Sequence, residues 1–205
     1  MTKLHTLTLE VSDLESARSF YRAAFGFDTE VQLETGTAAS TGFRGFTLSL
    51  LVSQPADVDT LVDAARAAGA SPLKPAAKSL WGYGGVVEAP DGTIWKVATS
   101  ARKDTGPATG SIDSIALLLG VADVKASKQF YVDHGLTVAK SFGSSYVEFD
   151  RAGSRLSLGL YKRRALAKDA GVSPEGTGSH RIRLGGDGGA FTDHDGFTWE
   201  QVSDV

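Results

Sequence analysis

The sequence has no cysteine in 205 residues, which excludes disulfide scaffolds, zinc ribbons and thiol chemistry together. It has no marked excess of either charge: 21 Lys and Arg against 24 Asp and Glu leave a formal net charge of −3. That balance gives no basic footprint for nucleic acid, so no such partner is expected. No stretch reaches the ~18–20 consecutive apolar residues of a membrane span, and Met1-Thr2-Lys3 leads into an alternating pattern instead of a signal peptide's apolar core. A cytoplasmic protein without membrane contact is expected. A phosphate-binding Gly-Lys-Ser/Thr loop, a dinucleotide fingerprint and a Gly-x-Ser-x-Gly elbow are all missing. What is present is 41% apolar residues, enough for a sizeable core.

The chain repeats itself. At an offset of 110, Leu7, Leu9, Val11, Asp13, Phe20 and Tyr21 fall on Leu117, Leu119, Val121, Asp123, Phe130 and Tyr131. Near the end of each half the offset is 104, and Asp91-Gly92-Thr93-Ile94-Trp95 falls on Asp195-Gly196-Phe197-Thr198-Trp199. The segment 101–110 is rich in Gly, Pro and charge and lacks a core face, so it reads as a linker between a first module, 1–100, and a shortened second module, 111–205.

Period-2 alternation predicts a strand over Leu4 to Val11. Ser12-Asp13-Leu14-Glu15 then has the form of a capping box, with Ser12 as the cap. Helical spacing runs from Leu14 to Phe25 and ends at Gly26. Strands are predicted near 29–33, 43–52, 85–89 and 93–98, with a second helix over 57–68. The second half gives strands near 112–121, 137–142, 146–149, 155–161, 181–184 and 197–202, and a helix over 123–134. Its segment 184–190 is too short and Gly-rich for a second helix.

The first strand, the Ser12-Asp13-Leu14 entry, Phe20-Tyr21 and the closing Pro90-Asp91-Gly92-Thr93-Ile94-Trp95, in two copies, resemble the vicinal oxygen chelate superfamily, which includes glyoxalase I, extradiol dioxygenases and bleomycin-binding proteins. The resemblance implies an α+β fold of two tandem βαβββ modules, whose curled mixed sheets form cups with helices packed outside. Metal-dependent members place a His on the first strand, seven residues before the helix-opening Asp, and a Glu four residues after the Gly of the Asp-Gly turn. Those positions hold Thr6 and Lys96 in the first half, Ala116 and Glu200 in the second. One carboxylate among Thr, Ala and an ammonium does not meet the need for about three ligands, so no metal and no cofactor are expected. His5 is one residue off the ligand position and so on the opposite face of its strand. His180, beside Arg181 and Arg183, is the other His that could reach a cup.

Strand parity puts Thr6, Thr8 and Glu10 with Lys96 in a first cup, and Ala116 and Leu118 with Thr198 and Glu200 in a second. Trp81, Tyr83 and Tyr146 are candidates for stacking on a planar ligand, and Trp81 in a Gly-rich stretch for a mobile lid. A carboxylate in an apolar cup is harder to ionise, which suits a general acid or base. Glu200 is the candidate for that role, with Lys96, Arg44 or Arg155 as its charge partner or oxyanion binder. Two functions follow: a metal-independent cup, in a monomer or homodimer, that binds a small, partly aromatic organic molecule, or a metal-independent lyase or isomerase using Glu200. A third, an assembly module, predicts no pocket.

Overall fold

Fifteen strands and four helices form among the described residues, which are 2–80, 82–151 and 153–202 of the computed structural model. In chain order the first half gives β1 (Leu4–Val11), α1 (Leu14–Phe25), β2 (Gln32–Thr35), β3 (Ser40–Gly42), β4 (Phe46–Leu51), α2 (Pro55–Ala67), β5 (Ser71–Ser79), β6 (Gly82–Glu88) and β7 (Ile94–Thr99). The second half gives β8 (Ser114–Val121), α3 (Val124–Asp133), β9 (Val138–Phe142), β10 (Tyr146–Phe149), β11 (Leu156–Lys162) and α4 (Arg163–Ala170). It ends with β12 (Gly176–Gly178), β13 (Ile182–Gly186), β14 (Phe191–Thr192) and β15 (Thr198–Gln201). No helix among the described residues is long and apolar enough to cross a membrane.

Local chemistry explains the helix boundaries. The cap of α1 is Asp13, one residue later than the Ser12 box anticipates: its carboxylate accepts the Ser16 amide at 3.0 Å. Asp123 caps α3 in the same way. Gly26, at φ 69°, ends α1 in the left-handed conformation that glycine adopts without strain. The strand β5 contains Pro72 and Pro75, so its pattern does not read as a strand. It survives at the sheet edge, where a missing N–H costs no ladder bond, and its register slips on both sides of Lys74.

The fold is the expected α+β arrangement with curled, unclosed mixed sheets. An eight-stranded sheet runs β5-β6-β7-β4-β8-β11-β10-β9, a five-stranded sheet β14-β15-β13-β1-β2, and a two-stranded ladder pairs β12 with β3. Within the larger sheet, β4-α2-β5-β6-β7 and β8-α3-β9-β10-β11 are two βαβββ units whose first strands lie antiparallel at the centre. The repeat in the sequence and the sheets are therefore out of step. Each sheet takes strands from both halves, and β1 pairs with β13 instead of closing a cup with its own half.

One apolar core joins the inward faces of both large sheets to α1, α2 and α3, with Leu7, Leu48, Trp95, Leu117 and Leu160 fully buried. Tyr21 and Tyr131 span it in matching fashion. Tyr21 donates to Asp91 of the Asp-Gly turn at 2.7 Å, and Tyr131 to Asp193, two residues before the corresponding Asp195, also at 2.7 Å. Trp95 and Trp199 in turn donate their indole N–H to those same hydroxyls at 3.3 and 3.4 Å. The repeated Tyr and Trp, each pair with an aspartate of the turn, are thus a buried clamp between helix, turn and last strand. The segment 101–113 carries no strand or helix but is pinned: Asp57 accepts the Thr109 and Gly110 amides at 2.6 and 2.8 Å, and Gln54 accepts those of Thr105 and Gly106.

Candidate functional site

The face of the eight-stranded sheet turned away from the core carries a row in register, Lys96, Ser49, Ala116 and Ser157, on β7, β4, β8 and β11. The next row holds Thr47, Leu118 and Gly159. Helix α4 lies on this face. Its first turn stands over Gly120, where an added Cβ would meet Arg163 Cα at 3.1 Å and the Gly45 carbonyl at 3.0 Å. Leu166, Ala167 and Ala170 bury their side chains against Phe43, Val86 and Ile94, with Leu118 and Tyr161 beside them. The last turn is tied down by Asp169, 2.7 Å from Lys96 Nζ, and by the Lys168 carbonyl, which accepts from Lys74 Nζ at 2.7 Å.

The chain leaving α4 helps to enclose a cavity of about 230 Å³. Phe43, Phe46, Ile94 and Val172 form its apolar wall, and Arg44, Glu88 and Glu175 bring charge to it. Gly92 turns at φ 82°, in the left-handed region that strains any side chain, and its missing Cβ leaves the Arg44 guanidinium room to approach. Arg44 Nη2 donates to the Asp91 carbonyl at 2.5 Å, and no carboxylate among the described residues ion-pairs with it. Burial holds the Arg44 guanidinium below the ordinary arginine range, against the opposing pull of Asp91.

Beyond α4 on the same face, Phe142, Tyr146 and Tyr161 form an aromatic row across three strands, with ring centroids 6.0 and 4.7 Å apart. Tyr146 donates to Glu148 at 3.2 Å, and Lys140 Nζ lies 3.7 Å from the same carboxylate. Burial pushes both phenols up, helped by the charge of Glu148 at Tyr146 and of Asp169 at Tyr161. Gly159 leaves room for the Tyr146 ring: a Cβ there would sit 3.3 Å from it.

The corresponding face of the five-stranded sheet is a charge cluster. Arg183 is held by Glu34, by Glu10 at 3.3 Å and by Glu200 at 3.0 Å. Burial works against the Arg183 charge, but these three carboxylates outweigh it and raise its ionisation above the ordinary range. Thr198 pairs with Arg183, Arg183 with Thr8, and Thr8 Oγ1 donates to Gln32 at 3.2 Å. Thr6 packs across Gly185.

These placements correct the expected cups. Lys96, Ala116, Leu118 and Tyr146 share the eight-stranded sheet, whereas Thr6, Thr8, Glu10, Thr198 and Glu200 share the five-stranded one. The assignment by halves fails because the sheets form across the halves. Lys96 and Glu200 do not pair, and Glu200 is about half exposed (51%) against a guanidinium instead of enclosed in an apolar cup. Tyr83 points to the helix side, where its hydroxyl donates to Asp59 at 2.8 Å. His180 lines no cup: its ring stacks on Phe197 at 3.9 Å, and its two nitrogens face the carbonyls of Arg44 and Asp195 at 2.5 and 2.9 Å. His5 lies at a register shift of β1, 3.6 Å from Asp187. Trp81 falls outside the described residues.

The four positions that hold ligands in metal-dependent relatives of the resemblance do not fit a divalent ion. They divide between the two sheets, Lys96 and Ala116 flanking Ser49, Thr6 and Glu200 flanking Gly185. The charge around which Glu10, Glu34 and Glu200 gather is a guanidinium. No group of three or more His, Asp or Glu among the described residues is arranged to hold a metal.

Arg44 was legible as an anion binder, but Glu88, Val172 and Glu175 were not, because they meet only through α4. Its signal was Leu166, Ala167 and Ala170 at helical spacing before Gly171, a pattern of only eight residues.

No family model and no curated protein matches the sequence. The fold does match solved structures. Glyoxalase I from Zea mays superposes with a TM-score of 0.66 at 16% identity, covering 99% of this chain and 92% of that one. A mutant of the same enzyme gives 0.64 at 16% identity, covering 98% and 93%. A putative dioxygenase from Bacillus subtilis subsp. subtilis str. 168 gives 0.57 at 12% identity, covering 94% and 71%.

Proposed function

Proceeding from a chain that has the two-module fold of the vicinal oxygen chelate superfamily, we propose that this protein binds a small, partly aromatic organic molecule on the outward face of its eight-stranded sheet, without a metal. The observation that carries the reading is the cavity of about 230 Å³ beside α4, walled by Phe43, Phe46, Ile94 and Val172 and edged by three charges. Apolar walls with a few placed polar groups are the usual form of a small-molecule site, and the volume is below the ~300 Å³ lower end of drug-sized pockets. A ligand of few non-hydrogen atoms is therefore expected.

Metal-free binding is supported by the rim of the cavity, where the cation is the Arg44 guanidinium and no group of three or more metal-ligating side chains gathers among the described residues. The exposure of Glu200 and its ion pair with Arg183 support a binding role over acid–base chemistry at that carboxylate. The test is thermal-shift and equilibrium-dialysis screening of aromatic fragments, with and without chelator, on the wild type and on Val172→Trp, which fills the cavity. Binding that persists with chelator and is lost in the variant is expected. Binding that needs a divalent metal, or that Val172→Trp leaves intact, overturns the proposal.

A further inference from the structure

The charges at the cavity rim carry more than a general preference for small molecules. Arg44 is half-buried, spends one N–H on the Asp91 carbonyl and has no ion-pair partner among the described residues. A guanidinium in that state offers its remaining donors to an anion, and a carboxylate matches its fork in two parallel hydrogen bonds. Glu88 stands on the same face as Ile94, directly across the β6–β7 ladder from it. Neither Glu88 nor Glu175 has a side-chain hydrogen bond or ion pair among the described residues. Glu88 is half-buried and Glu175 exposed at the rim of the apolar wall, and together they give it a negative edge that attracts a ligand's cation.

Resting on the small-molecule reading above, we infer that the ligand is a small amphipathic zwitterion, with a carboxylate for Arg44, an ammonium for Glu88 with Glu175 at the mouth, and an apolar or aromatic body against Phe43, Ile94 and Val172. A free apolar α-amino acid has this chemistry. A simple anion would leave two carboxylates facing it, and a simple cation would leave Arg44 as a like charge nearby. The zwitterion alone satisfies both signs within one enclosure.

The experiment is an NMR titration of the full chain with L-phenylalanine, 3-phenylpropionate, 2-phenylethylamine and benzyl alcohol, repeated on Glu88→Gln. L-phenylalanine is expected to perturb amides at 42–46, 88–94 and 172–175. Each half-molecule is expected to bind about tenfold more weakly, the loss of one charged hydrogen-bonding group. Glu88→Gln should weaken L-phenylalanine and 2-phenylethylamine and spare 3-phenylpropionate. A half-molecule or benzyl alcohol binding as tightly as L-phenylalanine, or an unchanged affinity in Glu88→Gln, overturns the inference while the small-molecule site stands. If no member of the panel perturbs those segments, both readings fail.

Discussion

Lys96 Nζ lies 2.7 Å from the Asp169 carboxylate, tying the last strand of the first half to the last turn of α4. The helix that shapes the cavity is therefore fastened at one end by a partly exposed ion pair and at the other by packing over Gly120. Lys96→Met should cost little global stability, about 0.2–1 kcal/mol. It should nevertheless raise amide exchange in the last turn of α4 relative to the core strands, as local opening of an element's end does. Unchanged exchange in α4 would mean that the ion pair does not restrain it.

The two buried clamps should respond alike. Tyr21→Phe leaves an oxygen of Asp91 and the Trp95 indole N–H without their shared partner, and Tyr131→Phe does the same for Asp193 and Trp199. Each should cost about 1–3 kcal/mol by urea denaturation.

Asp193 gives one pH dependence. Burial pushes its carboxyl above the ordinary value of 3.8, against hydrogen bonds from Tyr131 and the Phe197 and Asp195 amides. A raised folded value means that its stabilising contribution is present below 3.8 and is lost as pH rises through the folded value. Asp193→Asn does not titrate, so wild-type stability should fall relative to the variant as pH is raised from about 3.8. A difference that stays flat with pH would contradict this.

Asp57 gives the opposite sign. Burial disfavours its charge, but the amides of Gly110 and Thr109 and the Thr109 hydroxyl outweigh that and hold it below 3.8. Its contribution is present above 3.8 and is lost as pH falls through the folded value. Asp57→Ala should cost about 1–3 kcal/mol at neutral pH, speed exchange of the Thr109 and Gly110 amides and remove this part of the acid limb.

Arg183→Met should leave Glu10, Glu34 and Glu200 facing one another. A loss of about 1–2 kcal/mol at low salt is expected, partly recovered at high salt where exposed repulsion is screened. Glu200→Gln should leave ligand binding unchanged. Loss of binding or turnover in Glu200→Gln would restore a chemical role to that carboxylate.

The elements of strong period were readable from sequence, and so was the α+β arrangement of curled mixed sheets. Leu7, Leu9 and Val11 face the core as their alternation requires, and Gly26 follows the helix it was expected to end. The sheet partners were not readable, because alternation fixes which residues share a face of a strand but not which strand lies beside it. Thus Ala116 and Lys96 were each placed on the correct face and assigned to different cups, although Ser49 alone separates them in register. Tyr83 shows the converse: one residue of parity along β6, next to glycines of no pattern, sends its ring to Asp59. The cavity depended on α4, whose eight residues fall short of a persuasive period.

A small organic molecule in the cavity beside α4 is to be sought first by mapping a bound aromatic fragment through amide chemical-shift changes. Changes concentrated at Phe43, Arg44, Glu88, Ile94 and Val172 are the expected result; changes centred on Arg183 and Glu200 of the other sheet, with that cavity silent, would contradict it.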